Sequence, residues 1–338
     1  VTDRGRRSWE SQRNDYLTAL RARMMARQAE SADVAYRLEP DLKNGHGGLR
    51  DVQTVWWAMA SGLDVVEQDL AELDAHYDTL LRARVALHLT TDRAGEVMRL
   101  EDQDAIAATG GWSDADSMMA DVAAAGRTVA WLCDETWNRV IERDPQSDRA
   151  IAPGVVLRNG EIELTEGADP GRDPTLVLQA AVAAARSDCR IGRATLSRLR
   201  DEVEPWLGDW PVGARTELVA LLLEGHRAIR VLEALDQHDL IARLLPEWEP
   251  VRSKPQRNAY HRFTVDRHLW EAAANAAELV DQVARPDLLV LGALFHDLGK
   301  GYPGDHTEVG MKLVREIAPR LGYDRDDVET LVAMVEWH

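Results

Sequence analysis

Leu288-Leu-Val-Leu-Gly-Ala-Leu-Phe295 is an unbroken apolar run, and His296-Asp297 closes it. A helix that apolar is buried almost all round. It therefore carries an imidazole and a carboxylate into the interior, at a cost on the order of several kcal/mol unless they are paired or hold a metal. The surrounding pattern favours the metal. Four helices are predicted at about 264–283, 286–298, 306–320 and 324–337. His268 lies on the first, His296-Asp297 ends the second, His306 opens the third and His338 ends the fourth. Residues adjacent on a helix point about 100° apart, so His296 and Asp297 reach one ion only if it sits near the helix end. Imidazole with carboxylate suits a divalent ion such as Mg, Mn, Fe or Zn.

Upstream, the periodicity is mostly helical. Residues 8–37 read as a helix on the spacing of Leu17, Leu20, Met24 and Met25. A Gly-rich loop from Glu39 to Asp51 leads into a helix carrying Val52, Val55, Trp56 and Met59. Further helices are predicted at 66–95 and 114–143, with Gly110-Gly111 breaking the stretch between them. Val155-Val-Leu-Arg158 and Glu161-Ile-Glu-Leu164 flank Asn159-Gly160, the signature of a hairpin with a type I′ turn. Helices resume at 175–186, 193–204, 214–223 and 226–244, and 246–262 reads as an extended loop. The fold class is mainly α: a helical region at 1–145, a β hairpin insert at 146–170, a helical connector at 171–250 and a helical bundle at 251–338.

Composition limits the partners. The 338 residues carry a net charge of -18, which argues against a nucleic-acid backbone, because neutralising phosphates needs clustered Lys and Arg. No apolar run reaches the roughly 18–20 residues of a membrane span. Cys133 and Cys189 read as reduced thiols of a cytoplasmic protein. Lysine stands only at 43, 254, 300 and 312, so two of the four fall inside motifs. Val1 and the apolar pattern that stops at His338 read as cuts in a longer protein.

His-Asp-Leu-Gly-Lys at 296–300 resembles the hallmark of the HD superfamily of metal-dependent phosphohydrolases, and His268 in Tyr260-His-Arg-Phe-Thr-Val-Asp-Arg-His268 resembles its first ligand. The chain is more specifically similar to one family, the bifunctional PII uridylyltransferases/uridylyl-removing enzymes of nitrogen signalling. The Glu39–Asp51 segment, the 155–164 hairpin and Gly304-Asp305-His306 carry that likeness. It implies a middle piece of such an enzyme, with the transferase's Gly-Ser and paired aspartates upstream. A closing aspartate and an ACT pair would lie downstream. It also implies PII as protein partner, with UTP/UMP or ATP/AMP as nucleotide. The arginine- and alanine-rich composition resembles actinobacterial versions, which attach AMP. No transferase activity is expected from these residues alone.

Under this resemblance His268, His296 and Asp297 bind a first metal, and His306 and His338 bind a second metal or the scissile phosphate, with Asp297 as bridge. Lys300 is a phosphate contact or a cation favoured at a helix C-terminus. Asp305 orients His306 or caps the next helix, and Asp266 reads as a helix-start charge. Lys43, Gly47, Gly48 and Arg50 form a triphosphate or PII contact, or merely a tight loop. The Trp56-Trp57 pair reads as core. A free-standing HD phosphohydrolase and a non-enzymatic PII-binding module are the competing functions.

Overall fold

The computed structural model describes residues 3–139, 148–256 and 263–338, with side chains from residue 12 onward. The predicted boundary near 145, and Tyr260-His261-Arg262 of the first ligand segment, lie outside these residues. The fold is mainly α, and the chain divides into two compact units: Val1–Glu142 with Pro255–Thr264, and Arg143–Lys254 with Val265–His338.

The first unit contains α1 (Asp3–Ser31), α2 (Leu49–Ala60), α3 (Glu67–Thr91), α4 (Gln103–Gly110) and α5 (Ala115–Asn138). On α1 the buried stripe is Leu17, Leu20 and Met24, packed with Ala58 and Trp137. Met25 was expected in that stripe but is 50% exposed, because it lies one residue round the helix from Met24. The helix ends short of the predicted residue 37, at Ala32, which takes a positive φ of 56°. α2, α3, α4 and α5 share a core that includes Val52, Val55, Leu80, Met98, Met118 and Val129. Asp114 caps α5 by accepting the Ser117 N–H at 2.7 Å. α4 is an element that the Gly110-Gly111 break had hidden.

In the second unit the predicted hairpin forms in the predicted register. β2 (Val155–Arg158) pairs antiparallel with β3 (Glu161–Leu164), and Arg158 faces Glu161 across a two-residue turn. Asn159 and Gly160 have φ of 50° and 75°, the positive values a type I′ turn requires. Two short strands extend the sheet beyond the hairpin. β1 (Arg149–Ala152) adds antiparallel to β2, and β4 (Arg190–Ile191) adds parallel to β3 after the buried helix α6 (Leu176–Arg186). β4 has only two residues, too few to show an alternation of its own.

α7 (Arg193–Glu202), α8 (Ala214–Leu222), α9 (His226–Gln237) and α10 (Leu240–Leu244) follow. The predicted single helix over 226–244 is broken by Asp239, whose φ is 57°. A 3-10 segment, Pro246–Val251, leads towards the last four helices: α11 (Val265–Ala277), α12 (Pro286–Phe295), α13 (His306–Arg320) and α14 (Arg325–Glu336). Pro286 opens α12, where its missing N–H costs nothing. Val290, Leu291 and Phe295 are at most 1% exposed, each contributing about 1.5–3 kcal/mol by burial. Asp305 and Asp324 cap α13 and α14, each accepting two backbone N–H groups. Among the described residues no helix is long and apolar enough to cross a membrane.

Candidate metal centre

α12 ends at Phe295, and His296 and Asp297 follow as its last turn loosens into a 3-10 turn, Leu298–Gly301. Asp297 is 3% exposed. Its Oδ2 lies 3.3 Å from His268 Nε2 on α11 and 3.3 Å from His296 Nε2. Lys300 Nζ donates to the same oxygen at 2.6 Å. Its Oδ1 is buried without a hydrogen bond, 3.4 Å from His338 Nε2 at the end of α14. His306 begins α13, with its ring 5.7 Å from that of His338. The ligand atoms form two sets, His268–His296–Asp297 and Asp297–His306–His338, each spanning no more than 4.8 Å. All five predicted ligands are therefore gathered by four different helices.

The proton positions sharpen this picture. His296 Nδ1 donates to the Ala293 carbonyl at 2.7 Å, and His338 Nδ1 donates to the Val335 carbonyl at 2.6 Å. Each ring thus carries its proton on Nδ1 and turns the Nε2 lone pair inward, the usual orientation of a metal-binding imidazole. His296 Nε2 then stands 3.1 Å from His268 Nε2 and close to a buried carboxylate. Electron-rich atoms that close repel one another unless a proton or cation lies among them. The orphaned Asp297 Oδ1 adds a buried acceptor that lacks a donor. The donor set fits a divalent cation, and two ions could share Asp297. Burial works against the Asp297 carboxylate, but the His268 and His296 rings and the Lys300 ammonium beside it outweigh that and hold its carboxyl well below the usual range.

Close backbone approaches set the geometry. A Cβ on Gly299 would lie 2.0 Å from the His306 carbonyl oxygen, so only glycine lets α13 start this near the Asp297 turn. A Cβ on Gly310 would meet Val335 Cγ1 at 2.9 Å, where α13 crosses α14. Asp305 serves as the cap of α13, accepting from Thr307 and Glu308 at 3.0 Å each. Asp266 is more than a helix-start charge. It is fully buried, and its Oδ2 accepts the Ser253 N–H at 2.7 Å.

Lys43, Gly47, Gly48 and Arg50 belong to the other unit and have their own engagements there. Lys43 Nζ pairs with Glu96 at 2.9 Å. The Gly47 N–H donates to Asp51 at 2.7 Å, and the Gly48 N–H donates to the Gly45 carbonyl at 2.9 Å. The Arg50 guanidinium lies 5.7 Å from the centre of the Trp57 ring. Trp57 is 41% exposed, so only Trp56 of that pair packs on the core, against Tyr77. A Cβ on Gly47 would lie 2.1 Å from the Gly126 carbonyl oxygen, which ties the loop to α5.

Beside this loop sits a charge network that sequence reasoning missed. His46 Nδ1 faces Asp33 at 3.0 Å and Nε2 faces Asp134 at 3.3 Å. Burial lowers its pKa, but the two carboxylates overcome that and push it up to about 11, so His46 is an imidazolium at neutral pH. His46 stands in the Gly-rich loop, but Asp134 lies too far along the chain to be paired with it by spacing.

Comparison with known proteins places two family models along the chain. Residues 265–338 match the family model described as HD domain. Residues 15–61 and 59–137 match that described as GlnD PII-uridylyltransferase. The chain is 40% identical to the bifunctional uridylyltransferase/uridylyl-removing enzyme of Streptomyces coelicolor, over 98% of this chain and 42% of that protein. It is 39% identical to the enzyme of the same name from Mycobacterium tuberculosis, over 100% of this chain and 44% of the relative. For the Corynebacterium glutamicum enzyme the figures are 34%, 96% and 48%. The chain spans less than half the length of each of these curated relatives.

Proposed function

Because this chain carries an HD domain joined to a GlnD PII-uridylyltransferase region, we propose that its metal centre is the hydrolytic site of a PII-modifying enzyme. The reaction is hydrolysis of the phosphodiester between a nucleotide and a tyrosine oxygen of PII. Water adds to phosphorus, the bond to the tyrosine oxygen breaks, and the tyrosine leaves with a proton while the nucleoside monophosphate is released. The relatives' names favour UMP as that nucleotide, with AMP as the variant to test. The setting is the cytoplasm, where Cys133 and Cys189 stay as the free thiols seen here.

The observation that carries this reading is the convergence of His268, His296, His306 and His338 on the buried Asp297. His268, His296 and Asp297 would hold one divalent ion, and Asp297, His306 and His338 a second. Such ions, when bound, supply Lewis acidity that activates water and neutralises phosphate charge. An imidazole-rich set favours Mn, Fe or Zn over Mg. The protein's own part is orientation. The Ala293 and Val335 carbonyls fix two rings in the ligating tautomer, and the Lys300 ammonium offsets the Asp297 charge.

The test uses PII bearing a nucleotidylated tyrosine. The chain loaded with Mn is expected to release UMP, with activity lost in EDTA and restored by added metal. No release from either UMP- or AMP-modified PII, under conditions where the protein holds metal, would overturn the assignment. Lys300→Met is expected to lower kcat/KM on bis(p-nitrophenyl) phosphate about tenfold to a hundredfold with metal content unchanged, as befits a charge poised beside the reacting phosphate. Unchanged kinetics would place Lys300 outside the chemistry.

A further inference from the structure

The matched HD segment begins at residue 265, yet a stretch before it touches most of the elements that bear ligands. Pro246–Val251 and the turn after it run past the site. A Cβ on Gly301, in the turn after Asp297, would lie 2.9 Å from both Pro250 Cβ and Val251 Cγ1. The Tyr302 hydroxyl donates to the Glu247 carbonyl at 3.3 Å. The Glu247 carboxylate pairs with Arg320 of α13, the helix that His306 opens. Trp248 stacks on Trp270, two residues past His268 on α11, with centroids 5.5 Å apart and planes 13° apart. Ser253 adopts a φ of 53°, an uncommon conformation for a residue with a side chain. It is held there by its N–H bond to the buried Asp266 carboxylate, whose Oδ1 also accepts the Arg267 N–H at 2.9 Å.

We propose that residues 246–253 brace the metal centre, fixing the spacing between His268 and Asp297, and that Asp266 is the positioning residue that locks this brace to α11. The argument is one of shared support. α11 reaches the brace through Trp270 and Asp266, and the Asp297 turn reaches the same brace through Gly301 and Tyr302. Neither ligand can shift against the other without moving the segment between them. Strain of the kind seen at Ser253 costs on the order of 1–3 kcal/mol and persists only where the surroundings overdetermine it. Here the overdetermining contact is a buried carboxylate placed two residues before a ligand.

This inference rests on the metal reading above, and the experiment separates the two. Mn binding to the full chain is titrated calorimetrically and melting is followed by circular dichroism. Asp266→Ala is expected to weaken Mn binding ten- to a hundredfold, the usual reach of residues that orient ligands. Asp266→Asn keeps an acceptor for Ser253 and should recover part of that loss, which covers the case in which the alanine variant fails to fold. Leu196→Ala, a core truncation on α7 of the same unit, is expected to lower the melting temperature and leave Mn affinity unchanged. Absence of Mn binding in the unaltered chain would sink the metal reading itself. Normal Mn binding by both Asp266 variants, or an equal loss in Leu196→Ala, would overturn the brace.

Discussion

Asp297→Asn should abolish tight metal binding and lower the proposed phosphodiesterase activity by roughly a thousandfold, equivalent to about 4 kcal/mol of transition-state stabilisation. The size follows from the position of the carboxylate. It is the only residue common to both ligand sets, and one of its oxygens is buried without a donor while the other already bears a lysine. An amide keeps the volume but removes the charge, and it presents an NH2 group to imidazole nitrogens or to Lys300. The fold should persist, because the helices that surround Asp297 are held by their own apolar contacts. Metal content by mass spectrometry, with turnover of modified PII, provides the check. A variant that keeps two equivalents of metal and most of its activity would remove Asp297 from the centre.

Gly299→Ala is expected to be nearly as damaging, for a steric reason. The added methyl would sit 2.0 Å from the His306 carbonyl oxygen and within 2.6 Å of the Gly310 amide nitrogen. Both are backbone atoms and cannot swing aside, so α13 must retreat from the Asp297 turn. Overpacking of this kind costs typically about 1–3 kcal/mol of stability and sometimes more. The functional loss should exceed that, because His306 rides on the first residue of the displaced helix. The expected result is a variant that melts several degrees lower and has lost the second metal equivalent but not the first. Two equivalents retained at the original affinity would show that α13 can yield without consequence.

The four terminal helices and the clustering of His268, His296, Asp297, His306 and His338 were legible because these residues occupy helix ends that the apolar pattern marks out. The hairpin was legible through Asn159-Gly160, since few other dipeptides tolerate two positive φ angles in succession. What escaped depends on contacts between distant residues. Asp266 looked like an ordinary helix-start acid, because nothing in its own neighbourhood announces a partner at Ser253. Asp239 gave no warning of the break it makes, since its left-handed backbone is stabilised by the fold around it. Trp57 was assigned to the core by its type alone, whereas α2 turns it away from Trp56 into solvent.

The imidazoles at 268 and 338 come from opposite ends of the bundle sequence, and each lies against Asp297, 3.3 and 3.4 Å from one of its oxygens. A bound ion there acts as a staple across the tertiary structure. Free metal at a hundred times its dissociation constant adds about 2.7 kcal/mol to the folded state, so the melting temperature becomes a gauge of metal supply. A cell short of that metal would hold this domain in a less stable form, more open to proteolysis.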